Sequence, residues 1–188
     1  MKLYTTLFIT FILIFTACGQ TEQERALQEE RQMQMQMQLV ESTPEFNSQM
    51  ETVLDHYFAL KDALVQSDAE IAAQAAELYL EHVSDVNAES LNSESAALWI
   101  SYSEIITNST RELIPLEDVD DQRYHFEYIS EAMIEMVDTF RPVGYEVYHQ
   151  SCPMVRGGSA DWLSREEQIA NPYHGDRMLR CGEVIRRI

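Results

Sequence analysis

Between Met50 and Phe140 the large apolar residues recur at steps of three and four, and this period constrains the fold more than any other feature of the chain. Met50, Val53, Leu54, Tyr57, Leu60 and Leu64 share one helical face, behind Thr43 as cap and Pro44 as first helical residue. Ser67-Asp-Ala-Glu70 reads as a capping box, so a second helix follows a tight corner and turns Ala72, Ala75, Ala76, Tyr79, Val83 and Val86 inward. Asn87 to Ser93 is a polar loop. A third stripe holds Leu98, Tyr102, Ile105, Ile106, Ser109 and Leu113 and ends at Pro115. A fourth runs from about Glu117 to Phe140 through Val119, Phe126, Ile129, Met133 and Val137, and Arg141-Pro142-Val143-Gly144 stops it. Four amphipathic helices on short connections predict an all-α chain, an antiparallel up-down four-helix bundle over residues 43–144. Residues 145–188 are expected to complete the same domain as an irregular tail packed on the bundle.

The chain has 188 residues, 45% of them hydrophobic, enough for one ordinary core plus appendages. Its formal net charge of -19 excludes nucleic acid as a natural partner, because such a surface repels phosphates. The charge is uneven. From Cys18 to Phe140 the basic residues are Arg25, Arg31, Lys61, Arg111 and Arg123 amid many acids, whereas the arginines from Arg141 onward balance the acids around them.

Residues 1–18 have the layout of a secretory signal, with Lys2, an apolar run from Leu7 to Phe15, then Thr16-Ala17-Cys18. Phe-Thr-Ala-Cys is similar to a bacterial lipobox, with phenylalanine where leucine is usual, which predicts lipidation of Cys18. Ordinary cleavage near Ala17 is the alternative, and export follows from either. The expected location is the envelope of a Gram-negative bacterium, with the protein held by its N-terminal lipid to the outer membrane and facing the periplasm. Residues 19–42, rich in Gln, Glu and the Met33-Gln-Met-Gln-Met37 repeat, read as a flexible tether.

Known bundle cofactors fit poorly. A di-iron centre needs two Glu-x-x-His motifs on facing helices, and residues 43–144 hold none. Covalent haem needs Cys-x-x-Cys-His, which is absent. His56, His82 and His125 flank the apolar stripes, so no haem is expected. No nucleophile–base or carboxylate pair stands out, and the chain reads as a non-enzyme.

The chemistry is concentrated in the tail, which gathers His149, Cys152, Met154, His174, Met178 and Cys181. Tyr145 to Gln150 alternates and reads as a short extended segment, Gly157-Gly158 as a turn, and Trp162-Leu163 as an apolar anchor on the helices. Ser164-x-x-Glu167 reads as a capping box opening one or two helical turns, and Asp176 as the cap of a last short turn. Three arrangements can hold such a segment together. One is a Cys152–Cys181 disulfide, which suits an exported chain. Another is a soft-metal site, in which two thiolates with Met154 and Met178, or with His149 and His174, suit Cu(I) or Ag(I), and less well Zn(II). The third is plain packing around two inert thiols. The mirrored order Cys-x-Met and Met-x-x-Cys favours the metal over inert packing.

Tyr148…Cys152-Pro-Met154, Trp162-Leu-Ser164, Ile169-x-Asn171-Pro172-Tyr173-x-Gly175 and Met178-Leu-x-Cys181-Gly182 together resemble a Bacteroidota domain-of-unknown-function family. That family occurs in lipoproteins and at the C-terminus of periplasmic copper/silver efflux adaptors. Tyr57-x-x-Leu60-Lys-x-Ala-Leu64 and Gln122-Arg123-x-x-Phe126-x-x-Ile129-Ser130 fit its helices, and the likeness covers roughly 50–184. His174 departs from the family's Asn-Pro-Tyr-Tyr-Gly turn. The resemblance implies Cu(I) or Ag(I) as cargo and an efflux adaptor as partner. Arg123, Trp162, Asn171, Pro172 and Gly175 are then expected to be structural. The rival reading is an interaction domain with a Cys152–Cys181 disulfide that docks on an efflux or envelope component.

Overall fold

Each helix of the protein is delimited by local chemistry. The computed structural model describes residues 41–188; the expectations for the leader, for Cys18 and for nearly all of the tether lie outside these residues. Helix α1 (Pro44–Gln66) starts at Thr43, whose hydroxyl accepts the Phe46 amide at 3.2 Å. It ends at Ser67, which turns left-handed (φ 59°) and returns its amide to the carbonyls of Ala63 and Leu64. Ser67 therefore closes α1 rather than opening the next helix. The cap of α2 (Ala69–Ser84) is Asp68, which accepts the Ile71 amide at 3.0 Å. Asn92 caps α3 (Ser93–Leu113) and Asp118 caps α4 (Val119–Phe140), which stops at left-handed Arg141 ahead of Pro142. Among the described residues no helix is long and apolar enough to cross a membrane.

Helix α1 packs with α2 and α3 with α4, while α2 lies beside α3. At one end of this core Phe46 meets Trp99 edge-on (5.5 Å between centroids) and Phe140 at 4.8 Å. Burial of each such ring contributes roughly 1.5–3 kcal/mol. The inward face of α3 differs from the expected stripe: Trp99, Ile106 and Leu113 are buried, whereas Ile105 is 45% exposed.

The all-α expectation is corrected by the tail, which is not irregular. It forms a three-stranded antiparallel sheet of β1 (Tyr148–Val155), β2 (Gly158–Ser164) and β3 (Glu183–Arg187), in the order β2-β1-β3. Arg156 (φ 45°) and Gly157 (φ 81°) form the two-residue turn between β1 and β2, the geometry whose twist suits a hairpin. Pro153 sits where the β1–β2 register shifts, the kind of irregularity that tolerates a residue without an amide proton. Trp162 and Leu163 are both fully buried, so β2 lacks the alternation of a half-exposed strand. The reason is cover on both faces. Leu163 is on the side of α1 and α4, where its amide donates to the Tyr57 hydroxyl, while Trp162 packs edge-on against Tyr173 of the following loop. No helix forms after Ser164; its hydroxyl accepts the Glu166 amide at 3.1 Å in a turn. Asp176 likewise caps nothing, since the short turn Gly175–Arg177 begins from His174 without a side-chain cap.

The uneven charge has a structural counterpart. Arginines of the sheet and its loops pair with acids of the helices: Arg156 with Glu127, Arg165 with Asp55, Arg177 with Asp120 and Arg186 with Asp138. Exposed pairs contribute little individually, but four of them set the orientation of sheet on helices.

Candidate metal centre

The two cysteines reach each other from separate segments. Cys152 lies on β1 opposite Ala160 and is fully buried, whereas Cys181 follows the loop and is half-buried. Their Sγ atoms are 3.2 Å apart. A disulfide bond requires about 2.05 Å. Two sulfurs bound at ~2.3 Å to one tetrahedral ion are separated by roughly 3.8 Å. The separation of the pair lies between these two values.

Asn171 fixes the loop that delivers Cys181. Its side-chain nitrogen donates to the Cys181 carbonyl (2.8 Å), its side-chain oxygen accepts the Tyr173 amide (2.8 Å), and its own amide donates to Leu179 (3.0 Å). The Cys181 amide donates to the Met178 carbonyl at 2.9 Å, so Met178 and Cys181 are the two ends of one tight turn. Gly182 (φ 140°) lets this turn approach β1: a Cβ there would lie 2.7 Å from the Ser151 carbonyl and 3.0 Å from the Trp162 ring. On the helix side, Arg123 is 3% exposed and donates to the Pro172 carbonyl (2.7 Å), the Leu64 carbonyl (2.7 Å), the Ser67 hydroxyl (2.8 Å) and Asp120 (2.7 Å). One guanidinium thus ties the end of α1 to the loop. Gly175 passes so close that a Cβ would lie 2.3 Å from the Ser67 hydroxyl and 2.7 Å from Arg123.

The six candidate ligands do not converge as one set. His149 is three residues before Cys152 in a stretch of β1 that pairs with β2 without interruption, so the two side chains leave opposite faces of the sheet. The register shift beside His149 is in the β3 ladder, where Ile185 is the extra residue. Its Nε2 contacts Asp161 Oδ2 at 2.7 Å instead. The His174 Nε2 is bonded to the Met154 carbonyl at 3.0 Å, which holds the end of β1 against the loop. Met154 itself is 59% exposed. Met178 and His174 line a cavity of about 330 Å³ together with Asp120 and the three arginines Arg123, Arg156 and Arg177, an excess of positive charge that counts against a cation there. Strand parity removes His149 from the cysteine pair, the arginines disfavour metal in the cavity lined by His174 and Met178, and the thioethers are near the thiols in sequence.

Electrostatics at the pair are simple. Contact with the Cys152 sulfur, then burial, pushes the Cys181 thiol above its ordinary range. Two adjacent thiols resist losing both protons, and a bound cation is what reverses that preference. No group of three or more His, Cys, Asp or Glu side chains suited to a metal occurs among the described residues. The soft donors nearest the pair in sequence are the thioethers of Met154 and Met178, which match Cu(I) or Ag(I) better than Zn(II).

Residues 53–143 match the model of a family described as Protein of unknown function (DUF3347). This supports a domain-of-unknown-function family for the helical part of the chain. The matched span runs from within α1 to just past α4 and ends before the sheet, so the cysteine pair lies outside it. No curated protein and no solved structure matches the chain.

Tyr57 carries the site's framework in a way that the pattern of residues does not single out, while Asn171, which the resemblance marks as structural, does so through its three bonds in the loop. Tyr57 looks like any other member of an apolar stripe, and the bonds of Asn171 depend on the closed loop.

Proposed function

We propose that this chain is an exported, lipid-anchored binding module that holds Cu(I) or Ag(I) between Cys152 and Cys181, for heavy-metal tolerance or delivery to an efflux adaptor. The observation that carries this reading is the 3.2 Å approach of two thiols from separate segments, each followed or preceded within three residues by a methionine. Met154, two residues after Cys152, and Met178, one turn before Cys181, are the added donors of the proposed sulfur shell, and Met178 serves in it once its thioether turns out of the arginine-lined cavity. A soft monovalent ion favours such a shell over hard oxygen ligands. The helices, as an up-down bundle, serve as scaffold, and the module carries no catalytic machinery.

A second reading rests on the same approach of the sulfurs. In an oxidising compartment the pair closes as a disulfide, and the protein is then an interaction domain with a stapled tail. Native mass spectrometry of residues 40–188, reduced and then offered Cu(I), separates the two. One bound copper, lost in Cys152→Ser, supports the metal module. Absence of copper binding, with a two-hydrogen mass deficit on isolation, overturns it in favour of the stapled domain.

A further inference from the structure

On the sheet face that carries His149 and Asp161, α3, α4 and the β1–β2 hairpin border a half-open cavity of about 700 Å³. Its apolar wall includes Ile105 and Tyr128, respectively 45% and 41% exposed. Its polar groups include Glu131, Glu135, Asp161 and His149, and no lysine or arginine lines it among the described residues. The volume suits a small organic ligand, and an apolar wall with a few convergent polar groups is the usual composition of such a site.

The polar groups select the ligand's charge and its donors. Glu131 and Glu135 are one helical turn apart on α4, a like-charged spacing that is unfavourable without a nearby cation. Arg186 acts on this region from outside the cavity, where its guanidinium is committed to Asp138. His149 is 8% exposed; its Nε2 contacts Asp161, and its Nδ1 is buried with no hydrogen-bond partner among the described residues. A carboxylate can only accept, so in the neutral ring the proton is on Nε2 and Nδ1 is left as an acceptor. A buried acceptor without a donor is costly, and a ligand's N–H satisfies it where the His149 ring turns its Nδ1 toward the cleft. The cavity therefore presents acceptors and negative charge beside an apolar wall.

We infer that this cavity binds a protonated primary amine with an aromatic or alkyl body. The ammonium group lies among Glu131, Glu135 and the Asp161–His149 pair, and the body lies on Tyr128 and Ile105. The N–H donors matter as well as the charge, because they are what the carboxylates and the imidazole acceptor take up. The site shares no residue with the cysteine pair except the candidate His149, which strand parity assigns to this face. Its test is thus independent of metal binding.

The test is calorimetric titration of the unlipidated chain from Cys18 onward with 2-(1-naphthyl)ethylamine. Its N,N,N-trimethyl derivative, which keeps the charge without N–H donors, and the corresponding neutral alcohol are the comparison ligands. Saturable one-to-one binding of the amine, at least tenfold tighter than either comparison ligand, is expected. The double variant Glu131→Gln/Glu135→Gln, on exposed positions that do not threaten folding, is expected to weaken binding at least tenfold. Glu70→Gln/Glu77→Gln removes the same charge from α2 and is expected to change affinity less than twofold. Equal binding of the three ligands, no binding of the amine, or equal losses in the two double variants overturns the inference.

Discussion

The hydroxyl of Tyr57, fully buried on α1, accepts the backbone amide of Leu163 on β2 at 3.1 Å, and it lies 2.8 Å from the hydroxyl of Ser130 on α4. A single side chain thus joins the first helix, the last helix and the sheet. Its ring stacks on Phe126 (5.5 Å), which meets Tyr173 (5.8 Å), which meets Trp162 (6.0 Å), an aromatic path from α1 to the far side of β2. Burial holds the Tyr57 phenol far above its ordinary pKa, so it remains a neutral hydrogen-bonding group at any working pH.

Tyr57→Phe keeps the ring and removes the oxygen. The buried Leu163 amide then loses its acceptor, which costs about 1–3 kcal/mol. The expected outcome is a loss of that size in urea unfolding with an unchanged slope, and faster amide exchange in β2 with the helical signal preserved. Full protection of the Leu163 amide in the variant would show that another acceptor takes over.

The helices were legible because their signals are local: the apolar period, Thr43-Pro44 and Arg141-Pro142 act within one turn of where they stand. The caps Asn92 and Asp118, which the sequence pattern does not pick out, fall beside the expected starts. The one-residue error at Ser67 has the same origin, since Ser67 and Asp68 both suit a cap and only the left-handed turn of the chain decides between them. The sheet was hidden because Trp162 and Leu163 are covered from opposite sides, and two-sided burial erases the alternation by which strands are recognised. The spacing of Ile105 assigns it to the core stripe; its exposure depends on how α3 is rotated against α4, which no local pattern records. The cysteines were legible as a pair by chemistry. The separation of His149 from them needed strand parity, hence the strand.

Arg123 is a staple whose shape matters as much as its charge. Arg123→Lys keeps a cation beside Asp120 but cannot reach the Leu64 and Pro172 carbonyls and the Ser67 hydroxyl together. Buried acceptors are left unsatisfied, and a loss on the order of 3 kcal/mol is expected. Limited proteolysis checks the location: cleavage is expected to move into residues 165–182 while the helices stay protected. Cleavage first within α2 or α3 would contradict the assigned role.

Stability is expected to fall on mild acidification through the stacked pair His56 and His82, whose rings are 4.1 Å apart. Burial, and then the neighbouring His82, lowers the pKa of His56 below its ordinary 6.5, with Asp55 and Glu81 opposing. The folded state therefore binds this proton less readily than the unfolded chain does. Stability is unaffected above the unfolded value, begins to fall as the pH drops through about 6.5, and has fallen fully below the folded pKa. Melting temperatures between pH 7.5 and 5 should show the decline, His56→Gln should flatten it, and His82→Gln should reduce it by the smaller share that His82 contributes. An equal slope in His56→Gln would assign the effect to other groups.

The thioethers separate a metal site from a bare thiol pair. Met154 is 59% exposed and Met178 half-buried at a turn, so the double variant Met154→Leu/Met178→Leu is expected to cost less than about 1 kcal/mol of stability. If the two sulfurs complete the shell of Cu(I), affinity measured by competition with a chromogenic chelator should fall at least tenfold, and the chain should still bind one ion through its thiolates. Cys152→Ser should abolish binding and, because Cys152 is buried, also lower stability. The double methionine variant is therefore the cleaner probe. Unchanged Cu(I) affinity in that variant would leave Cys152 and Cys181 as a two-coordinate pair and remove Met154 and Met178 from the site.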